Sequence, residues 1–345
     1  MQTDVSAPAV VKLFGEHVVV HGKPAVAAAI DMQAHATVSD IENQVLQIEL
    51  DDFGESASIT KSELEALYNE YKSKNSIKAY VDSNKRYGRA LPYITIAARL
   101  NFEFGVNTVG KRLLINSNIP VQKGLASSAA CSTAATIAFL DSAKAKIPDD
   151  NAIDVARDGE RVVHLNENAG KIDVTTSFYG GCVMVDKGSI QKLDIGFDLM
   201  LTLIDTGPKK STAETVGAVT KLFEEHPTEA AELADQAEYC LRNGMKALEE
   251  GNIELLGSYM YKNHEILREL GVSSESLEKG VSLAKKYGFY GAKLSGGGGG
   301  GIMISVKGPE CDESKFQEEA SALNFGVSTC RVYKKLDKIL SKTSL

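Results

Sequence analysis

The chain has 345 residues, 43% apolar and 24% charged, enough for two domains with real cores and unlike a disordered or membrane-embedded composition. A formal net charge of -8 argues against broad binding to a nucleic-acid backbone and points to soluble metabolites. The cysteines (Cys131, Cys182, Cys240, Cys311, Cys330) are odd in number, widely spread and never form CxxC, so neither a disulfide framework nor a structural zinc site is expected, and a reducing cytoplasm is the natural setting.

The opening MQTDVSAPAV lacks the basic, apolar, small-residue order of a signal peptide, and no apolar run approaches a membrane span. From Val10 to Leu50 the short apolar runs VVKLF, HVVV, PAVAAAI, ATVSD and VLQIEL predict a sheet of several strands. Asp51 to Gly54 reads as a turn, Ser62 with Glu65 as a capping box for a helix to about Tyr71, and a second helix is expected near Pro92. KRLLINS (111–117) alternates as a strand and runs into a loop, then a small-residue helix reaching about Lys146, where Pro148 intervenes. Asp150 is placed to cap a third helix, ended by Asn168-Ala169-Gly170, and a loop bearing Asp173 leads to Gly180-Gly181 and a strand, CVMVD. Beyond Lys187 come the strand LMLTLID, three or four amphipathic helices between Ser211 and Tyr287, then AKLS, a glycine run, IMISV, a helix and a closing strand, VSTCRVY. Helices and strands interleave in both halves, so the class is α+β with two domains, divided between Asp173 and Lys192.

The segment NSNIPVQKGLASSAACSTAATIAFL (116–140) is suited to holding an anion. Gly124 permits close backbone approach, Ser127 and Ser128 offer hydroxyls, and the alanines that follow start a slim helix whose first turn presents unpaired N–H groups. An ordinary serine cap on a buried helix is the plainer alternative. The run Gly296 to Gly301 lies between two strands, so it reads as a tight crossing close to a ligand or another backbone and not as a flexible linker. It matches GxGxxG trivially but leads into a strand, as does GVNTVGKR (105–112), which ends in Arg112 where a Walker A loop needs Ser or Thr; neither is a nucleotide fingerprint. Glu160 and His164 share a helix face, and Glu160 with Ser128 would supply hard oxygen ligands for Mg²⁺. Lys12 sits in an apolar strand and needs a partner for its charge; a lysine facing an aspartate such as Asp173 suits phosphoryl transfer to an alcohol.

With these residues in view the chain resembles the galactokinase, homoserine kinase, mevalonate kinase and phosphomevalonate kinase (GHMP) superfamily, and within it the mevalonate kinases. The resemblance rests on APAVVKLFGEHVVVHGKPAVAAAI (7–30), PVQKGLASSAA (120–130) and KLSGGGGGG (293–301), in order over nearly the whole chain, with GERVVH (159–164), the Asp173 segment and KNHEILRELGVS (262–273) in support. It implies a ribosomal-protein-S5-like N-terminal domain (1–185) and a ferredoxin-like C-terminal domain (186–345). It also implies ATP and Mg²⁺ as cofactors and phosphorylation of the primary hydroxyl of mevalonate in isoprenoid synthesis. The implied ATP site comprises Ser117, Lys123, Gly124, Leu125, Ala126, Ser127 and Ser128, together with Gly296, Gly297, Gly298, Gly299 and Gly300. Ser128 and Glu160 are the implied Mg²⁺ ligands; Glu16, His17 and Thr212 lie at the mevalonate pocket, and Asp173 is the catalytic aspartate. Mevalonate is the expected partner, without nucleic acid or membrane, and a homodimer is the assembly allowed for.

The chain departs from the family pattern in places. Val10 stands where the catalytic lysine is expected and Ala9 where glycine is; Lys12 follows two residues later, on the same strand face but with its Cα roughly 7 Å away. Lys12 is taken as the provisional partner of Asp173, its flexible stem reaching across. Gln122 and Ala126 replace usual glycines, and KGLASSAA is reminiscent of diphosphomevalonate decarboxylases, whereas FGEHVVVHGKPAV favours the kinase. The alternatives are a sibling acting on phosphorylated mevalonate and a ligand-sensing pseudokinase.

Overall fold

The computed structural model describes residues 2–74, 76–120, 123–167, 169–207, 212–332 and 341–344, and the side chains of 212, 213 and 341–344 lie outside that description. In chain order the elements are β1 (Gln2–Phe14), β2 (Ala25–Asp40), β3 (Val45–Leu50), β4 (Glu55–Thr60), α1 (Lys61–Ser73), α2 (Ile77–Ser83), α3 (Leu91–Phe104), β5 (Lys111–Ser117), α4 (Ser127–Ser142), α5 (Asp149–His164) and α6 (Ile172–Tyr179). They continue as β6 (Cys182–Asp186), β7 (Ser189–Leu193), β8 (Leu199–Asp205), α7 (Thr212–Glu225), α8 (Pro227–Glu249), α9 (Ile253–Glu269), α10 (Glu275–Lys286), β9 (Phe289–Leu294), β10 (Ile302–Lys307), α11 (Glu313–Ala322), β11 (Gly326–Val332) and β12 (Ser341–Ser344).

The described strands form one sheet, with β4-β3-β5-β2-β11-β8-β10-β9 as its main path. Its spine is β2, which pairs with β1, β5, β6 and β11. The sequence of β2 explains this position. Its first half, AVAAAI, is buried throughout, and small side chains let layers close on both faces; beyond Met32 burial alternates, as in a strand covered on one side. Helices α4 and α6 pack against β1 and β2, while α9 and α10 pack against β9. Gly257 of α9 and Gly291 of β9 face each other so closely that a Cβ on Gly257 would lie 2.4 Å from the Tyr290 carbonyl. No helix among the described residues is long and apolar enough to cross a membrane.

The interleaved α+β architecture and the four helices between Ser211 and Tyr287 agree with the sequence-based expectation. Several local expectations are corrected. HVVV is not a strand: Val18–His21 form one 3-10 turn, ended by Gly22 in the left-handed region. PAVAAAI and ATVSD belong to one strand. The capping box uses Thr60 and Glu63, since the helix begins at Lys61. The helix Ile77–Ser83 was not anticipated. The third helix starts at Asp149 with Pro148 in the cap position and no side-chain cap, and ends at His164. Asp173 lies in the first turn of α6 and not in a loop.

Candidate active site

β1 brings the site together because its successive residues are held by different parts of the chain. The Val10 amide donates to the Leu125 carbonyl at 3.0 Å, seating the loop before α4 on the strand. Two residues on, the Lys12 amide donates to Ser295 Oγ at 2.9 Å, and Ser295 Oγ donates to the Lys12 carbonyl at 3.2 Å. Register shifts in the β1–β2 ladder occur between Pro8 and Ala9 and between Lys12 and Phe14. Bulges of this kind bend a strand and re-aim its side chains.

The side chain of Lys12, 18% exposed, makes an ion pair with Asp173. Burial pulls the Lys12 ammonium down to a pKa of about 8, against the opposing pull of the Glu16 and Glu160 carboxylates. Asp173 lies in the first turn of α6, at the positive end of the helix. Val10, at the position where the family's lysine is expected, is buried. The pair anticipated from the apolar setting of Lys12 is therefore formed from its displaced position.

The α4 N-terminus is open. Ala126 occupies its cap position with φ +53° and makes no side-chain cap, so the first amides of the helix have no side-chain acceptor there. Lys123, in the loop before it, pairs with Asp205 at the end of β8 at 2.7 Å. Ser117 accepts a hydrogen bond from the Ile119 amide at 3.1 Å, just upstream. The glycine crossing closes over the same loop: a Cβ on Gly296 would lie 3.7 Å from the Gly124 carbonyl. All its glycines except Gly297 have positive φ. The Gly299 amide donates to the Val272 carbonyl at 2.8 Å, and a Cβ on Gly298 would be 2.2 Å from that oxygen. The run is a tight crossing between the paired strands β9 and β10, as expected.

Glu16 and His17 lie buried in the connection after β1. Glu16 forms an ion pair with Lys293, which is fully buried and also donates to the Leu294 carbonyl at 2.7 Å. Burial lowers the Lys293 pKa, and Glu16 opposes that shift. Glu16 Oε2 is buried without a hydrogen-bond partner among the described residues, while the buried His17 ring meets the Gly297 main chain. Burial pushes the His17 imidazole down to about 4, so the ring is neutral near pH 7. His17 also has φ +63°, a strained value for a side-chain-bearing residue. A buried carboxylate oxygen without a partner, beside strained backbone, suits a polar ligand.

Glu160, on α5, is buried; its Oε1 has no partner among the described residues and its Oε2 lies 3.5 Å from His164 Nε2. A free buried carboxylate oxygen fits a hard divalent cation, with Ser128 as a hydroxyl donor at the start of α4. Among the described residues no cluster of three or more His, Cys, Asp or Glu could hold a metal, so any such ion would need oxygen ligands from elsewhere, such as phosphates or water. Thr212 begins α7, and its side chain lies outside the described residues.

Sequence reasoning missed Lys293, Ser295 and Asp205. The signal for Lys293 was present: like Lys12 it is a lysine in an apolar strand, which demands a partner. The roles of Ser295 and Asp205 depend on contacts between distant segments and left no local mark.

Comparison with known proteins identifies the family. The family model described as GHMP kinases N terminal domain matches residues 92–181, and that described as GHMP kinases C terminal matches residues 245–323. The chain is 32% identical over 335 residues to the mevalonate kinase of Thermococcus sibiricus, covering 94% of this chain and 93% of that one. It is 34% identical over 312 residues to the mevalonate kinase of Pyrococcus horikoshii, covering 87% of each. The crystal structure of the Methanococcus jannaschii mevalonate kinase superposes with a TM-score of 0.79 at 25% identity, covering 95% of this chain and 98% of that one. Likeness of this extent, along both halves and through the glycine crossing, the α4 loop and the Asp173 segment, means that the chain belongs to the mevalonate kinase family of the GHMP kinases.

Proposed function

We propose that the chain transfers the γ-phosphoryl group of ATP to the primary hydroxyl of mevalonate, giving 5-phosphomevalonate and ADP in isoprenoid synthesis. GHMP kinases use ATP as the phosphate donor, and the open α4 N-terminus with the 123–128 loop suits a triphosphate. The observation that carries the reading is the Lys12–Asp173 pair, set on β1 beside that loop. Asp173 orients the hydroxyl or takes its proton, and the Lys12 ammonium stabilises charge on the transferring group. Glu16, with one oxygen on Lys293 and the other free, and His17, as a neutral ring, present polar atoms to mevalonate. Ser128 and Glu160 would hold Mg²⁺, which when bound neutralises phosphate charge. Gly296 to Gly300 keep a low backbone wall against the nucleotide, with Ser117 beside it. A cytoplasmic enzyme, alone or as a homodimer, accords with this role.

The test is ADP release with mevalonate, phosphomevalonate and diphosphomevalonate in parallel, at fixed ATP and Mg²⁺. Turnover with mevalonate alone is expected. Turnover confined to a phosphorylated acceptor makes the chain a sibling enzyme, and mevalonate binding without turnover with any of them makes it a pseudokinase.

A further inference from the structure

Lys12 carries a charge two residues from where the family places it, so something other than the usual strand position must hold it. Its side chain contacts Asp173, yet a flexible lysine stem alone has many conformers that do not. What is fixed is its backbone. At the bulge after Lys12 one hydroxyl, Ser295 Oγ, takes both main-chain groups, accepting from the amide at 2.9 Å and donating to the carbonyl at 3.2 Å. A serine hydroxyl has one proton to give and two lone pairs, so both bonds can form at once. Ser295 is buried, and its own amide donates to the Ile302 carbonyl at 3.0 Å across the base of the glycine crossing. The grip therefore comes from the C-terminal half of the chain, while Asp173 comes from α6 in the N-terminal half.

We propose that Ser295 is a positioning residue that fixes the backbone of Lys12, so that its ammonium meets Asp173 only while the glycine crossing is seated on β1. The inference rests on the phosphoryl-transfer reading above. It gives the displaced lysine a support of its own and ties the reacting pair to the residue that leads into the glycine crossing.

The experiment is a kinetic cycle on the full chain, measuring ADP release from ATP and mevalonate for the wild type, Ser295→Ala, Lys12→Met and the double variant, with thermal unfolding of each. Loss of the two hydrogen bonds is expected to lower kcat on the order of tenfold in the wild-type background, with KM for both substrates held within about twofold. In the Lys12→Met background the same change should lower kcat by less than about twofold, because Ser295 acts through a side chain no longer there. A full tenfold loss in both backgrounds, or a lower Tm with kcat unchanged, overturns the proposal and leaves Ser295 as a structural contact only. If Ser295→Ala does not fold, Ser295→Cys, similar in size but a much weaker donor and acceptor, carries the same cycle with the same two outcomes. A wild type that does not turn over mevalonate overturns the functional reading and this proposal with it, whereas turnover with additive losses overturns the proposal alone.

Discussion

Asp173 and Lys12 set the chemistry at the scale of single residues. Phosphoryl transfer asks the protein for position and charge more than for covalent steps, so losses at this pair should fall on kcat. Asp173→Asn keeps the shape but removes the charge and the base, and we expect kcat to fall by on the order of 10²-fold or more with KM little changed. Lys12→Met should lower kcat strongly, and the double variant should be little worse than the poorer single one, since the two act as a unit. Additive losses would mean that the residues work independently. The pH dependence follows from the depressed Lys12 pKa of about 8. Because the ammonium is the active form, kcat should decline as pH rises through about 8, and Lys12→Met should lack that decline. The sign for stability is opposite: burial disfavours the ammonium, so the fold is relieved of that cost as pH rises through the folded value toward 10.5. Glu160→Gln, which keeps size but weakens a cation ligand, should raise the Mg²⁺ concentration needed for half-maximal rate while Tm stays near wild type. An unaltered Mg²⁺ dependence would remove Glu160 from the site. The need of Lys12 for a partner was legible because a charge in an apolar run must be answered; which carboxylate answers it was fixed only by the meeting of β1 and α6.

Among the elements, the glycine crossing was readable from its flanks, since two strands separated by glycines must turn tightly. Its packing is set by its neighbours, Gly124 on one side and Val272 on the other. Gly298→Val places a branched side chain at φ +70° against the Val272 carbonyl. We expect this to destabilise the fold by about 1–3 kcal/mol and to weaken ATP binding, as measured by thermal unfolding and equilibrium titration. Unchanged Tm and ATP affinity would favour a flexible linker after all. Helix α6 shows where local reading fails. Its sequence, IDVTTSFY, is rich in β-branched and aromatic residues with weak helix propensity, so the Asp173 segment reads as a loop; packing against α4, β1 and β2 makes it a helix. HVVV misleads in the opposite sense, a β-branched run turned into a 3-10 turn between Gly15 and Gly22. Both errors fall where tertiary contacts override propensity, and both segments border the site.

For the molecule as a whole, the described strands of the two halves share one sheet, and three of the polar contacts that cross between the halves lie at the site. Lys293 reaches Glu16, Lys123 reaches Asp205 and Ser295 holds Lys12. The class and the order of the motifs were legible in the sequence, because periodicity and glycine placement are local properties. The union of the sheet through β2 and β11, and the return of β12 to pair with β1, were not, since strand pairing across some 300 residues has no local signature. A site assembled this way reacts as one unit, passing phosphate from ATP to the primary alcohol of mevalonate. The most direct measurement is phosphorus NMR of the wild-type protein with ATP, Mg²⁺ and mevalonate. A single new phosphomonoester resonance growing in step with ADP is expected. ADP accompanied only by inorganic phosphate, or no consumption of ATP, would contradict it.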